Sequence, residues 1–443
     1  MPVSTFTGLQ TSLRGLIAQQ EALDTTSHNI ANASTKGYSR QEVLLSASRA
    51  LSIVTGSTEG GSQNAQLGTG VDVNGFARAR DKFLDLQYRT QAMRLGGLAT
   101  RVQGMETIEG ALAEPSETGI SQELQTYWSA WEGLANNPED PASRQAVVEA
   151  GKALATSLGE LNGQLTEAAE VAEAQFQAIA GEGGEVEQMA KEIALLNGSI
   201  RSATTSGSEP NDLLDRRDLL LDELSEMGQV SVTENADGTI EVGFGDAATP
   251  LVEGTEVNWP QEVVEPKGKL GALLELTRAG GTIESFRTEL NAFAETLANS
   301  VNAIHTEAGG PAFFTFVAGE GAATLAVAVD AEEVQTAKDG SVGGNDIATA
   351  IGALRGGAAD RAYASFVTRV GTEMVEARNG ETNAQALLNT VEERRESVSG
   401  VSLDEEMTNL TSFQRGYEAS ARAMSALDEA LNVLINRTGR VGL

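Results

Sequence analysis

The sequence predicts a mainly α-helical protein with a smaller β-containing domain inserted into it. Three observations lead to this prediction. Apolar residues follow a heptad pattern at both ends of the chain, a helical pattern of about sixty residues fills much of the first half, and strand-like alternation appears in the middle. A chain of 443 residues is also too long for a single core, so several domains are expected.

The two ends are predicted to pair as a coiled-coil stem, joined to a long helical rod domain and a smaller mixed or β outer domain. The predicted ranges are 1–45 with 400–443 for the terminal coiled-coil domain, 46–228 with 345–399 for the rod domain, and 229–344 for the inserted domain. The assignment of the helical stretch 268–306 stays open.

The heptad pattern at each end consists of apolar residues at alternating steps of three and four. These predicted seam residues are Leu9, Leu13, Leu16, Leu23 and Ile30 at one end, and Leu403, Met407, Leu410, Tyr417, Met424 and Leu431 at the other. Such a seam is a narrow stripe, so each helix needs a partner helix to bury it. Each end could pack separately on a globular core, but their matching length and period favour pairing with each other or with other copies.

The long helical pattern in the first half begins after Asp140 and Pro141, a good helix-start pair, and is interrupted by "GEGG" at 181–184. Residues 106–195 hold 17 acidic and 3 basic side chains, whereas residues 1–50 hold 3 acidic and 4 basic ones. The negative charge therefore lies on the helical body and spares the N-terminal seam. It is either a solvated helical face or the outward surface of an assembly.

The middle of the chain alternates like β-strands. Val230 and Val232 precede an Ala-Asp-Gly turn, and Ile240, Val242 and Phe244 follow it, which is typical of a hairpin. Further short strands are expected around 248–260 and again around 310–335. Helices are expected from about residue 345 to the end.

Composition excludes several classes of function. The chain has no Cys and only two His, so disulfides and thiolate metal sites cannot form and a multi-histidine metal centre is nearly excluded. A net charge of −32 disfavours nucleic acid and anionic membranes as partners. No apolar run resembles a signal peptide or a membrane span. The protein is therefore expected to be cytosolic or exported by an unconventional route.

No catalytic, cofactor or metal site is predicted. His28 and His305 lack a recognisable catalytic partner, and structural roles are favoured for both. The carboxylates of "DLLDRRDLLLDEL" could suggest a metal site, but the intervening Arg216 and Arg217 favour an ion-paired helix face. The glycine clusters lack the Lys-Ser/Thr ending of a phosphate loop.

Four segments resemble a known family. The stretch "TSHNIANASTKGYSRQEV" resembles the N-terminal motif of bacterial flagellar axial proteins, and "YSRQ" is typical of their hook-filament junction members. The other three segments are 67–89, 210–225 and 398–435, in the family's order. The matching motif residues are Asn29, Ile30, Ala31, Asn32, Gly37 and Tyr38. The family often carries a longer insertion where this chain has "HTEAGGPAFFTFVAGEG".

This resemblance implies a structural protein of the ring between flagellar hook and filament, with the predicted seams building an inner tube. The implied partners are further copies through heterologous contacts, the hook protein, a second junction protein, and a cytosolic export chaperone on the C-terminal helix. It also implies export to the extracellular flagellum without a cleaved signal peptide. The alternatives are another axial component, such as a hook protein, a rod protein or the second junction protein, and a surface-binding module.

Overall fold

The computed structural model describes residues 6–54, 64–116 and 119–437, and most of these residues are helical. Twelve helices are used below: α1 Thr7–Asn32, α2 Lys82–Leu112, α3 Ile120–Asn136, α4 Pro141–Ala180, α5 Glu185–Thr205, α6 Asn211–Met227, α7 Gly268–Thr277, α8 Thr282–His305, α9 Gly321–Thr324, α10 Asp346–Gly352, α11 Ala358–Ser399 and α12 Leu403–Arg437. The predicted mainly α fold with a small β-containing part is confirmed.

The strands are short and belong to four small antiparallel sheets within the described residues. They are β1 Gln41–Ala47, β2 Leu51–Val54, β3 Asn64–Leu67, β4 Val71–Arg78, β5 Val230–Glu234, β6 Ile240–Phe244, β7 Val252–Glu253, β8 Glu256–Val257, β9 Phe314–Thr315 and β10 Ala326–Val327. The predicted hairpin is present as β5 and β6, in which Val232 lies opposite Val242. Gly238 in its turn has a φ of 85°, a conformation that favours glycine.

A two-stranded ribbon at 41–78 corrects the expectation that residues from 46 onward are helical. β1 pairs with β4, and β2 pairs with β3. The β1–β4 register shifts between Leu44 and Leu45, so the alternation of facing residues breaks there. Most ribbon residues are also only half-buried. When a strand is weakly buried and its alternation is interrupted, few apolar residues recur at every second position. The sequence pattern therefore does not reveal these strands.

Around 310–335 the expected short strands are present as β9 and β10, which pair antiparallel but are only two residues each. The apolar residues of this segment also complete a helical core. Phe313 and Phe314 are buried and pack their rings against Tyr127 of α3. Their alternation reflects packing on helices rather than a ladder of hydrogen bonds.

The main core lies among helices from both halves of the chain. α2 packs against α11 and α7, α4 packs against α3, and α8 packs against α11. The helical stretch left open by the sequence, now α7 and α8, therefore packs with the helical body. The predicted long helix is divided at 181–184 into α4 and α5. Among the described residues, no helix is both long and apolar enough to cross a membrane.

Candidate assembly surface

The first and last helices form an antiparallel pair. Gly8 lies against the side chain of Leu427, and a Cβ placed on Gly15 would be 4.0 Å from the Cβ of Ser420. Further along, Asn29 donates a hydrogen bond to Glu406. Partner positions on α12 therefore fall by seven for each rise of seven on α1, which defines one register over three heptads. Residues 1–5 and 438–443 of the predicted terminal domain lie outside the described residues.

Small residues form the face that α1 turns toward its partner. Gly8, Gly15, Ala22 and Asn29 follow one another at steps of seven, and Ala22 and Asn29 are buried. Ala18 on the same side is also buried. Because these residues have small or no side chains, the two helix backbones approach closely, and little apolar area is needed to bring them together.

The predicted seam residues lie beside this contact face rather than at its centre. Leu13, Leu403 and Met407 are exposed, at 43%, 53% and 54%. The others are half-buried: Leu9, Leu16, Leu23, Ile30, Leu410, Tyr417, Met424 and Leu431. On α1 the predicted heptad is offset by one residue, about 100° around the helix, from the one that meets α12. Small residues contribute almost nothing to a hydropathy pattern. The sequence therefore reveals the stripe of large apolar residues but not the face of small residues that meets α12.

The motif that ends α1 is organised around Asn29. Its amide nitrogen donates to the Gln41 carbonyl at 2.9 Å and to the Glu406 carboxylate at 3.1 Å. Its Oδ1 accepts from the Gln41 backbone N–H at 2.9 Å and from the Tyr38 hydroxyl at 2.7 Å. Every hydrogen-bonding group of this buried side chain is satisfied, as expected for a buried amide. Asn29 thus ties α1, the following turn, β1 and α12 together.

The rest of the motif shapes the turn after α1. Asn32 donates to the His28 carbonyl and accepts from the Thr35 hydroxyl. Gly37 has a φ of 80°, and a Cβ there would lie 3.1 Å from the Cβ of Leu219. Both facts require glycine. Ile30 is half-buried and Ala31 is exposed, and both have apolar side chains.

Tyr38 is held as a hydrogen-bond donor in this turn. Burial first, and then the carboxylates of Asp212, Asp215 and Glu406, raise the pKa of Tyr38. The hydroxyl therefore keeps its proton and donates it to Asn29. The Nδ1 atom of His28 lies 3.0 Å from the same hydroxyl. His28 supports this turn, in agreement with a structural role.

Glu406 is the buried residue of α12 among those described, and its side chain is 2% exposed. Besides Asn29, it accepts from the Arg40 guanidinium, with a 2.8 Å distance to Nε. The Arg40 backbone N–H in turn donates to the Ser399 carbonyl at the end of α11. Glu406 therefore connects the helix pair to the strand and helix from which the pair projects.

Below the helix pair lies a charge-balanced network of four arginines and four aspartates, the Arg–Asp cluster. Its members are Arg78, Arg80, Arg89, Arg395, Asp85, Asp215, Asp218 and Asp222. They come from β4, the connection between β4 and α2, α2, α6 and α11, and all are mostly buried. The turn after α1 is linked to this cluster, because the Ser39 backbone N–H donates a hydrogen bond to the Asp215 carboxylate at 2.9 Å.

Within this cluster, Arg80 and Asp218 have the most oppositely charged partners. Arg80 makes a two-point contact with Asp85, at 2.7 and 3.1 Å, and lies 3.3 Å from Asp218. Burial alone would raise the pKa of Asp218, but Arg80, Arg78 and Arg89 outweigh it, so the pKa is lowered. Asp218 is therefore ionised at neutral pH.

These partners correct the expected origin of the ion pairs on α6. Arg216 pairs with Glu192 of α5, and Arg217 donates to Asn197 and to the Gly238 carbonyl. The α6 aspartates face arginines from other elements instead. Spacing within a helix identifies a charged face, but it cannot identify a partner more than a hundred residues away.

No chemistry beyond packing is evident at the other candidate residues. His305 is buried, its Nδ1 lies 2.8 Å from the Pro311 carbonyl, and its Nε2 accepts from the Gln335 N–H. The described ranges contain no group of three or more His, Asp or Glu arranged to hold a metal. A cleft of about 660 Å³ lies between the turn 33–40 and the α11–α12 connection, and its lining includes Arg80, Asp222 and Arg395 of the Arg–Asp cluster.

Family models match three parts of the chain. The model described as the flagellar hook-associated protein FlgK helical domain matches residues 105–267. The flagella basal body rod protein model matches residues 9–38, and the C-terminal model of the flagellar basal body rod FlgEFG proteins matches residues 394–437. The two rod models cover most of the helix pair, and the first model covers α3 to α6 and the sheet of β5 to β8.

Characterised relatives agree with these matches. The flagellar hook-associated protein 1 of Bacillus subtilis is 30% identical, over 98% of this chain and 99% of that protein. The protein of the same name from Salmonella typhimurium is 30% identical over 67% of this chain, which spans 56% of its length. The structure of the flagellar hook junction protein FlgK from Burkholderia pseudomallei aligns with a TM-score of 0.45 and 23% identity, covering 52% of this chain and 46% of that chain.

Proposed function

Because the chain belongs to the flagellar hook-associated protein 1 family, we propose that its terminal helix pair is the surface through which copies assemble at the junction of hook and filament. The protein is a structural component of the bacterial flagellum. The observation that carries the proposal is the partly exposed apolar stripe beside the α1–α12 contact. Leu13 on α1 and Met407 on α12 are large apolar side chains that their own chain leaves exposed.

This stripe has the properties of a contact between neighbouring copies. Exposed apolar patches on a soluble protein mark interaction sites. A ring or tube requires heterologous contacts, in which the patch of one copy meets a different surface of the next. Each copy would thus bury its stripe against its neighbours, and its terminal helix pair would reach full stability only in the assembly.

The alternative that this chain is a hook or rod protein is not favoured. The rod-type models match only the two ends, which axial proteins share, whereas the helical-domain model that matches residues 105–267 is specific to the hook-associated protein. We infer a non-enzymatic role, since the described polar clusters are internally paired and serve the fold.

Partners follow from the same proposal. The hook protein and a second hook-filament junction protein would bind at the two ends of the ring. A cytosolic export chaperone would cover the apolar stripe of α12 before export, by helix-in-groove contacts at i, i+3, i+4 and i+7 positions. Neither nucleic acid nor membrane is expected as a partner, and the site of action is the extracellular flagellum, reached without a cleaved signal peptide.

Met407→Asp tests the assembly surface. The substitution places a charge on an exposed position of the stripe, so the chain's own fold is expected to survive while contact with a neighbour is lost. Thr408→Asp is the matched control, since Thr408 is exposed on the next position and is already polar. Each variant is returned to cells lacking this chain, and filaments are counted by electron microscopy. We expect filaments with the control and bare hooks with Met407→Asp.

Circular dichroism of the purified variants checks that both fold alike. Normal filaments from a folded Met407→Asp protein, and equally from Leu13→Asp, would show that the stripe is not an assembly contact. Filament loss with Thr408→Asp as well would mean that any new charge in α12 is harmful, which would also contradict the proposal.

A further inference from the structure

The close contact between α1 and α12 does not by itself define which residues face each other. Gly8, Gly15 and Ala22 recur at steps of seven on α1, and the residues that meet the two glycines, Leu427 and Ser420, are also seven apart. A shift by one heptad, about 10.5 Å along the axis, would again place small residues on the same face of the partner helix. A repeating small-residue face is therefore compatible with more than one register.

One position breaks this repetition. Asn29 and Glu406 occupy the fourth heptad, where both are buried and hydrogen-bonded to each other at 3.1 Å. In any shifted register Glu406 would face Ala22 or lie beyond the end of α1, and its carboxylate would lose the amide donor. A buried carboxylate that loses its partners is strongly destabilising, so a shifted register is disfavoured. Buried polar residues at single seam positions set register in coiled coils in the same way.

Arg40 makes this contact a reference point for the rest of the molecule. Its guanidinium binds Glu406, and its backbone N–H and carbonyl bind Ser399 and Ala79. These contacts of Arg40 fix the register of the helix pair relative to the rest of the protein. A shift would change the spacing along the helix axis between Leu13 and Met407, which the proposed function assigns to assembly.

We propose that Asn29, Arg40 and Glu406 are positioning residues that select the register of the terminal helix pair and hence the apolar stripe presented to neighbouring copies. The register itself does not depend on the proposed function, and only its consequence for assembly does. A rival explanation is that the short connection between α11 and α12, residues 400–402, holds the register by its length alone.

Engineered disulfides read the register directly, because the chain has no cysteine of its own. Ser420→Cys is combined in turn with Gly8→Cys, Gly15→Cys or Ala22→Cys in the full-length protein. Only Gly15→Cys places its Cβ at a disulfide distance, 4.0 Å, from that of residue 420. The other two report a shift of one heptad in either direction. Intramolecular cross-links are identified by mass spectrometry after mild oxidation of dilute protein.

With Asn29 and Glu406 intact, we expect the Gly15→Cys combination to be the one that cross-links. In a Glu406→Leu background, and more so with Asn29→Leu added, we expect shifted cross-links to rise by about tenfold, the effect of losing one buried hydrogen bond to a charged group. Glu406→Gln should restore the single native cross-link, because its carbonyl still accepts from Asn29. Asp404→Leu, at an exposed position on the same turn, is the control and should change nothing.

Three results would overturn the proposal. Shifted cross-links, or no cross-link at all, with Asn29 and Glu406 intact would mean that the assigned register is not the one in solution. An exclusively native cross-link in folded Glu406→Leu and double-leucine proteins would favour the rival explanation by connection length. Loss of filaments in a variant whose cross-link pattern is unchanged would mean that these residues affect assembly without setting the register. None of these results depends on whether Met407→Asp blocks assembly, so the two proposals fail independently.

Discussion

Replacing Arg80 by methionine should destabilise the protein far more than replacing an arginine of similar reach at the surface. Arg80 has an 8% exposed side chain and contacts Asp85 twice and Asp218 once. Its removal leaves the Arg–Asp cluster with one uncompensated negative charge in a buried site. Breaking a buried ion pair in this way costs about 3–5 kcal/mol. Because Arg395 still contacts Asp85, we expect the lower end, about 3 kcal/mol.

Arg378→Met is the matched control. Arg378 also bridges to the helix that carries Asp85, through Glu106 and Glu109 at 3.3 and 3.4 Å, but its side chain is 53% exposed. Solvent screens such pairs, and their loss costs less than about 1 kcal/mol. Urea unfolding followed by circular dichroism compares the two variants. With a slope of about 3 kcal/mol per molar, Arg80→Met should lower the midpoint by about 1 M and Arg378→Met by a third of that or less.

A double variant tests the mechanism and not only the size of the effect. Arg80→Met with Asp85→Leu removes both members of a pair, and replacing both by apolar residues is far less costly than leaving one charge buried. The double variant should therefore lose less stability than the sum of the two single variants. Additive losses, or a loss from Arg80→Met no greater than from Arg378→Met, would refute the view that an unbalanced buried charge is what destabilises the fold.

Two further predictions concern pH and backbone conformation. Burial lowers the pKa of His305, so the unfolded chain binds a proton more readily, and stability should fall as pH drops below about 6.5. This loss should be reduced in His305→Gln. The lowered pKa of Asp218 adds a separate loss only below about pH 4, and a curve flat from pH 7 to 3 would contradict both assignments. Gly37→Ala should cost about 1–2 kcal/mol because of its positive φ, whereas Gly110→Ala, with open space in a helix, should gain about 0.5–1 kcal/mol. Thermal unfolding measures both, and equal signs would be incompatible with this reasoning.

Helical elements with strong periodicity were predictable from the sequence, and their long-range partners were not. The heptads at the ends identify helices that the structure places at Thr7–Asn32 and Leu403–Arg437. The start at Asp140 is also correct, since its carboxylate accepts from the backbone N–H groups of Ala142 and Ser143. These features depend on neighbours within a few residues, so local patterns are sufficient to find them.

Features that depend on distant residues escaped the sequence pattern. The partners of Asp215 and Asp218 lie in β4 and α2, and Glu406 meets Asn29 across 377 positions. The ribbon at 41–78 was missed because its register shift interrupts the strand period. In each case the missing information concerns the tertiary structure, that is, how separate elements pair or pack. In the sequence of a helix, a carboxylate that will be buried cannot be distinguished from an exposed one until the opposing element is known.

The offset between the two stripes of α1 also explains how one helix can serve both its own chain and its neighbours. Burying a large aliphatic side chain contributes about 1.5–3 kcal/mol, whereas glycine and alanine contribute little. The face that meets α12 is centred on Gly8, Gly15 and Ala22, which themselves contribute little apolar burial. Leu13, which is 43% exposed, and the half-buried residues beside it retain part of their apolar surface for contacts between copies. Orientation is then selected by polar contacts at Asn29 and Glu406, while the free energy of burial is released on assembly. This division keeps a single copy soluble with its helices in register, and it makes their full stability a property of the assembled ring.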